Sequence, residues 1–244
     1  MDIINHPKPH HALVEKPLCT NVSDCKKVID IQLTTYATIA VDNWNRFNCN
    51  TGGTLVEKCC HSFDLMRLFI GANPVRVMAS GSMDLNHKDE VYDGRVPDII
   101  DNAYVIVEFD NGCRGMLDLC MFAEGSKNEQ EISVVGDIGK GEALVPESIV
   151  RWGTRAEGKN GVQTLLAEDK RRKYDGLHHG SSYLEHLQFL SAVRARGEQA
   201  PAVGLHDGLI SVAIGVAAQL SIQKGRSVMI EEVLHEQLVQ FTKS

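Results

Sequence analysis

From Val75 to Gly153 the chain passes through β-rich segments in direct succession: "VRVMASGSM", "DNAYVIVEFDNGCRGMLDLCMF", "EQEISVVGD" and "ESIVRWG". No long helical stretch separates them. Parallel neighbours need a crossover of a dozen or more residues, usually a helix, so strands that follow one another directly imply an antiparallel meander. Asp110-Asn111-Gly112 sits inside the second segment, where Asn and Gly tolerate the positive φ of a hairpin turn. The glycine cluster "GDIGKGE" lacks the GK[ST] ending of a phosphate-binding loop and reads as a turn.

Helical patterns flank this block. Thr20 reads as an N-cap before Val22, Cys25 and Val28/Ile29. "IQLTTYATIAV" reads as a strand. The spacing predicts one helix over Thr54–Ile70, with Leu55, Cys59, Phe63, Met66 and Ile70 on one stripe and Gly71 closing it. Two further helices are expected over "SSYLEHLQFLSAVRARG", closed by Gly197, and "HDGLISVAIGVAAQLSIQKG", closed by Gly225, with His206 and Asp207 as N-terminal capping groups. "SVMIEEV" reads as a last short strand. The fold class is α+β: a large, open, mostly antiparallel sheet with helices on one face. The other face needs a cover, and a second copy of the sheet in a homodimer or higher oligomer is the natural one.

A length of 244 residues suits one large domain, or one domain with an appended fragment. The net charge of -7, with no dominant basic patch, argues against nucleic acid and anionic membranes as partners. Leu209–Ile222 is too short for a bilayer, which needs about 20 residues. Seven cysteines without a CxxC pair read as reduced, mostly buried thiols of a cytoplasmic protein.

Three constellations can carry chemistry. Glu15-Lys16-Pro17 follows a short apolar run, Ala12–Val14, that suits a strand end, and a lysine there can neutralise a cofactor phosphate or polarise a substrate oxygen. A solvated turn is the alternative, and on three residues alone it wins. In "TGGTLVEKCCHSFDLM", Glu57 and His61 are one helical turn apart, about 6 Å along the axis, so the carboxylate can orient the imidazole. A histidine of ordinary pKa, about 6.5, takes a proton from an alcohol near neutral pH. Gly52-Gly53 lets backbone approach a ligand closely. An exposed helix pair and a plain loop explain the same spacing equally well. Cys59, Cys60 and His61 are adjacent and cannot converge on one ion, so no metal is expected there. In "GLHHGSSYLEH", His178 precedes a helix where loops often line substrate pockets, though an exposed polar loop is the simpler account.

Taken in order, these blocks resemble one family. "HALVEKPL" resembles the strand-and-turn signature of Gfo/Idh/MocA oxidoreductases. "NTGGTLVEKCCHSFDLMRLFIG" resembles their glycine-rich segment and helix carrying an acid, a histidine and a later aspartate. "SYLEHLQFLSAVRARGEQAPAVGLHDGLISVAIGVAAQLSIQKGRSVMI" is similar to their closing helices and last strand. The resemblance implies an N-terminal Rossmann domain binding NAD or NADP, and a C-terminal domain built on a large open sheet. It implies hydride transfer between nicotinamide and a sugar, polyol or related carbonyl or alcohol. By that resemblance Lys16 contacts substrate and cofactor, Glu15 and Pro17 lie on the cofactor side, and His61 acts as acid/base. Glu57 stands where the family usually has aspartate, and Gly53 and His178 fall on the substrate side.

Two features depart from the family. No GxGxxG occurs in the sequence, and the stretch between Asp30 and Asn43 is shorter than the family's. Residues 1–42 are therefore expected to be a remnant of the Rossmann domain, from a fragment, a spliced product or a faulty gene prediction, and residues 43–244 the catalytic and oligomerisation domain. A non-catalytic dimerising or ligand-binding domain derived from the family is the competing expectation.

Overall fold

The structure is a computed structural model and describes residues 16, 19–31, 43–196, 198 and 201–239. Glu15, Pro17, the Ala12–Val14 run, Gly197 and all of "IQLTTYATIAV" after Ile31 lie outside the described residues; Ile31 itself ends a helix. The chain divides into two compact units. The first runs to Phe122 and resumes at Val203; the second is Ala123–Ala202.

In the first unit, helix α1 (Val22–Ile31) is capped one residue later than the sequence suggests. Asn21 Oδ1 accepts the backbone N–H of Asp24 at 2.8 Å, while Asn21 Nδ2 donates to the Asp24 carboxylate at 2.7 Å. Short helices α2 (Asn48–Thr51) and α3 (Thr54–Glu57) precede α4 (Cys60–Ile70). The single helix expected over Thr54–Ile70 is thus two, broken at Lys58–Cys59. At the break the Glu57 carbonyl accepts Lys16 Nζ at 3.1 Å and the Cys60 thiol at 3.8 Å. The apolar stripe survives the break: Leu55, Cys59 and Phe63 are buried, and Met66 and Ile70 pack on the core.

Strands β1 (Pro74–Ser82), β2 (Asn102–Phe109), β3 (Arg114–Cys120) and β8 (Val228–Met229) form an antiparallel sheet in the order β3-β2-β1-β8. The β2–β3 hairpin turns at Gly112, whose φ is +82°, as the sequence implies. Alternation sends Val77, Val105 and Val107 inward and leaves Met78, Tyr104, Ile106 and Met116 outward. The inner face is covered by helix α6 (Leu205–Lys224), which also packs on α1, α3 and α4. This helix is apolar all round because it is enclosed all round. By length and composition it passes for a membrane span, yet 56% of that window is buried inside the protein, as in a core helix. Asp207 caps it by accepting the Gly204 N–H at 2.8 Å, and Gly225 closes it in the left-handed region, both as expected. "SVMIEEV" is a strand only at Val228–Met229; Ile230 begins helix α7 (Ile230–Val239). Glu232, in its first turn, accepts the Met229 N–H at 3.0 Å, which favours the helical continuation.

The second unit holds β4 (Gln130–Val135), β5 (Gly139–Val145), β6 (Ile149–Thr154) and β7 (Gln163–Leu166), an antiparallel sheet in chain order, and helix α5 (Ser181–Arg194). The glycine cluster is a turn only at its start; from Gly139 it is strand β5. The antiparallel α+β class holds, with the strands divided between two four-stranded sheets. Among the described residues, every buried hydrophobic side chain belongs to the first unit. Three of the seven cysteines (25, 59 and 60) are buried and three (49, 113 and 120) are exposed, so the thiols are less uniformly interior than expected.

Candidate active site

The Gly52–His61 segment is held from behind by α6. Gln219 Nε2 donates to the Gly52 carbonyl at 2.9 Å, and Gly215 lets α6 approach so closely that an added Cβ would stand 2.7 Å from the Leu55 carbonyl oxygen. Gly53, at φ +91°, is itself pressed on Gln219: a Cβ there would fall 1.4 Å from Nε2. The close approach that this glycine pair permits is therefore to the protein's own helix.

From that support Glu57 meets Lys16. Lys16 Nζ lies 3.5 Å from Glu57 Oε1 and donates to the Glu57 carbonyl, and Lys58 Nζ lies 3.2 Å from Glu57 Oε2. Two sequence blocks 41 residues apart are thereby joined through one carboxylate. His61 is exposed at the second position of α4, one turn beyond Glu57 but across the break between helices. The structure brings Lys16 and Glu57 together. His178 belongs to the second unit, where its Nδ1 is 3.0 Å from Ser182 Oγ.

The later aspartate, Asp64, lies 3.7 Å from Arg67, which in turn binds Asp207 at 3.0 Å and ties α4 to the start of α6. Burial raises the Asp64 carboxyl above its usual range against the pull of Arg67. Burial pushes the Cys59 thiol up to about 12, so this cysteine is a packing residue and no nucleophile at neutral pH.

Beside Glu57 lies a cleft of about 30 Å³, the volume of one water, lined by Arg46, Thr54, Glu57, Lys58, His87 and Met121 among others. Glu90 organises its edge, accepting Arg46 Nε at 2.9 Å and Tyr92 Oη at 2.8 Å and lying 2.8 Å from His87 Nδ1. Hydrogen bonds from His87 and Tyr92, then Arg46, hold the Glu90 carboxyl down at about 2. Arg46 and His87 are not legible in the sequence, because "NWNRFNCNTGG" reads only as a polar turn and nothing in spacing links Arg46 to residues 44 positions on.

Residues 27–230 match the model of the oxidoreductase family C-terminal alpha/beta domain, the Gfo/Idh/MocA family. A myo-inositol 2-dehydrogenase of Thermotoga maritima is 32% identical over 186 residues, which are 75% of this chain and 51% of the relative. Among solved structures, an oxidoreductase domain protein from Kribbella flavida superposes with a TM-score of 0.70 at 18% identity, covering 90% of this chain and 74% of that one. An NAD binding oxidoreductase from Klebsiella pneumoniae gives 0.71 at 15% identity, covering 88% and 72%. The chain belongs to the Gfo/Idh/MocA oxidoreductase family, and it spans about half the length of the curated relative it matches.

Proposed function

We propose that this chain is the catalytic and sheet-forming part of a nicotinamide-dependent oxidoreductase that interconverts an alcohol and a carbonyl on a sugar or polyol. The observation that carries the reading is the junction of Lys16 with Glu57, which joins the two separate blocks that resemble the family's signatures. The polyol dehydrogenase among the relatives supports the substrate class, and the NAD binding neighbour supports the cofactor class.

The residues present fit the nicotinamide only in part. Lys16 offers a cationic donor suited to a ribose or substrate oxygen, but the 244 residues contain no GxGxxG to cradle a pyrophosphate. Bound nicotinamide would supply hydride acceptance or donation. In this reading Lys16 polarises the reacting oxygen, His61 takes or returns its proton, and Glu57 fixes Lys16 by accepting it at both carboxylate and carbonyl. Glu15 and Pro17 are proposed to face the cofactor; Gly53, pressed against Gln219 of α6, and His178, in the second unit, are given no role in this reading. Residues 1–42 are read as the remnant of a Rossmann domain and 43–244 as the catalytic domain, although the family match begins earlier, at residue 27.

A second reading rests on the outer face of the first sheet. Met78, Ile106 and Met116 lie on one rung, with Tyr104 beside them, and all are exposed. Such a face suits a second copy of this chain, and a dimerising domain needs no cofactor.

Titration of the purified chain with NADH and NADPH, read by cofactor fluorescence, tests the first reading. Saturable binding with turnover of myo-inositol or another polyol, lost in Lys16→Ala and His61→Ala, is expected. No binding at millimolar cofactor removes catalysis from this chain. Sedimentation with and without Ile106→Lys tests the second, for which a monomeric parent chain is the contrary result.

A further inference from the structure

The second unit contains a concavity that the reading above does not use. Strands β4–β6 and the Arg155–Val162 segment line an open groove of about 480 Å³, within the range of small-molecule sites. The cross-strand register explains which side chains face it. Glu142 pairs with Arg151 across β5 and β6, and Lys140 stands two residues from Glu142, so alternation puts all three on one face of the sheet. Val162 packs 3.0 Å from where Gly153 would carry a Cβ, which holds the covering segment down on that same face. Arg155 and Lys159 enter from that segment.

The charges are unequal. Lys140, Arg151, Arg155 and Lys159 line the cavity, against the single carboxylate of Glu142. Glu142 is engaged by Lys140 at 2.6 Å, and Glu157 is turned to Thr154, whose Oγ1 donates to it at 3.0 Å. Arg155 Nη1 donates to the Asp137 carbonyl at 3.2 Å, a neutral acceptor that orients the guanidinium. In a chain of net charge -7 this is a local reversal of sign. The surrounding glycines leave the backbone approachable: nothing lies within 4 Å of a Cβ built at Gly136 or Gly158.

Two guanidinium forks and two ammonium groups around one engaged carboxylate suit a doubly charged group with several acceptor oxygens more than a monocarboxylate. We propose that this cavity binds a small ligand through a phosphate group. The site is distinct in residues from Lys16, Glu57 and His61, and the proposal stands whether or not the chain turns over a polyol.

Calorimetric titration of the full chain with inorganic pyrophosphate, glucose 6-phosphate and neutral glucose tests it. Saturable binding of either phosphate compound, weakened by added salt and absent for glucose, is expected. Tighter binding of the sugar phosphate identifies an organic ligand, and tighter binding of pyrophosphate identifies a free inorganic one. Arg151→Glu should lower affinity by about tenfold or more, as expected for losing one charge-assisted bond. Lys159→Glu, on the exposed covering segment, repeats the test without touching a strand. No saturation by either phosphate compound at about 10 mM in low salt, where such contacts are strongest, overturns the proposal. So does binding that both charge reversals leave unchanged.

Discussion

The two sheets of this protein have the same construction and opposite surroundings. Each is four-stranded and antiparallel, with ladders of similar length. The first is covered on one face by α6 and encloses a core in which Val77, Val105, Val107 and Ile214 are wholly buried. The second has no buried hydrophobic side chain, and Trp152, Leu165 and Leu166 stand exposed. Backbone pairing is the same in both, so it is not what separates them. Net stability follows apolar area removed from water, at roughly 25 cal/mol per Å², and only the first sheet removes much. The chain's two tryptophans, Trp44 and Trp152, fall one in each unit, so each unit carries its own reporter.

The contrast can be broken most sharply by charge. Val105→Asp places a carboxylate in the closed core and should cost about 5 kcal/mol or more, abolishing the cooperative unfolding seen by Trp44 fluorescence. Val150→Asp, on a half-buried position of β6, should leave that transition in place. If both variants behave alike, the two sheets do not differ as described. Cavity formation gives the next effect. Leu55→Ala should lower stability by about 2–5 kcal/mol in urea titrations, and Ile132→Ala in β4 by about 1 kcal/mol or less.

Acid gives a smaller, signed effect within the first unit. Burial alone would raise the Asp101 carboxyl, but the backbone N–H groups of Asp84, Asn86 and Leu85 outweigh it and hold it at about 2. A depressed carboxyl contributes stability that is present above its ordinary value, near about 4, and is lost as pH falls toward the folded value. Asp101→Asn should cost about 1–3 kcal/mol at neutral pH and flatten the dependence of stability on pH between about 4 and 2. A cap in the first unit gives an effect as small as that of Ile132→Ala: Asn21→Ala should cost about 1 kcal/mol by thermal denaturation, because it strips one helix end and leaves the sheet intact.

The sequence shows the fold best where burial and turn chemistry agree. The Asp110-Asn111-Gly112 hairpin, the Gly71 and Gly225 helix ends and the enclosed α6 all follow from local pattern. Strand β5 does not, since Gly139 and Gly141 dilute its alternation and its pairing with β4 and β6 is what makes it a strand. The break between α3 and α4 also escapes a local reading, because the lysine that takes the Glu57 carbonyl comes from residue 16. For the same reason the candidate site is legible only as separate blocks. Spacing proposes Glu57 and His61 as one helical pair, but the meeting of Glu57 with Lys16, and the entry of Arg46 and His87, are contacts with no sequence period.

Gly215 and Gln219 gauge how far the segment bearing Glu57 stands from α6. A methyl group added at Gly215 would push against the Leu55 carbonyl and carry the displacement along α3 to the carboxylate. Tolerances at the candidate site are thus set where α6 meets the segment behind Glu57. In a saturation library selected for turnover, position 215 should be as depleted of variants as Lys16 itself.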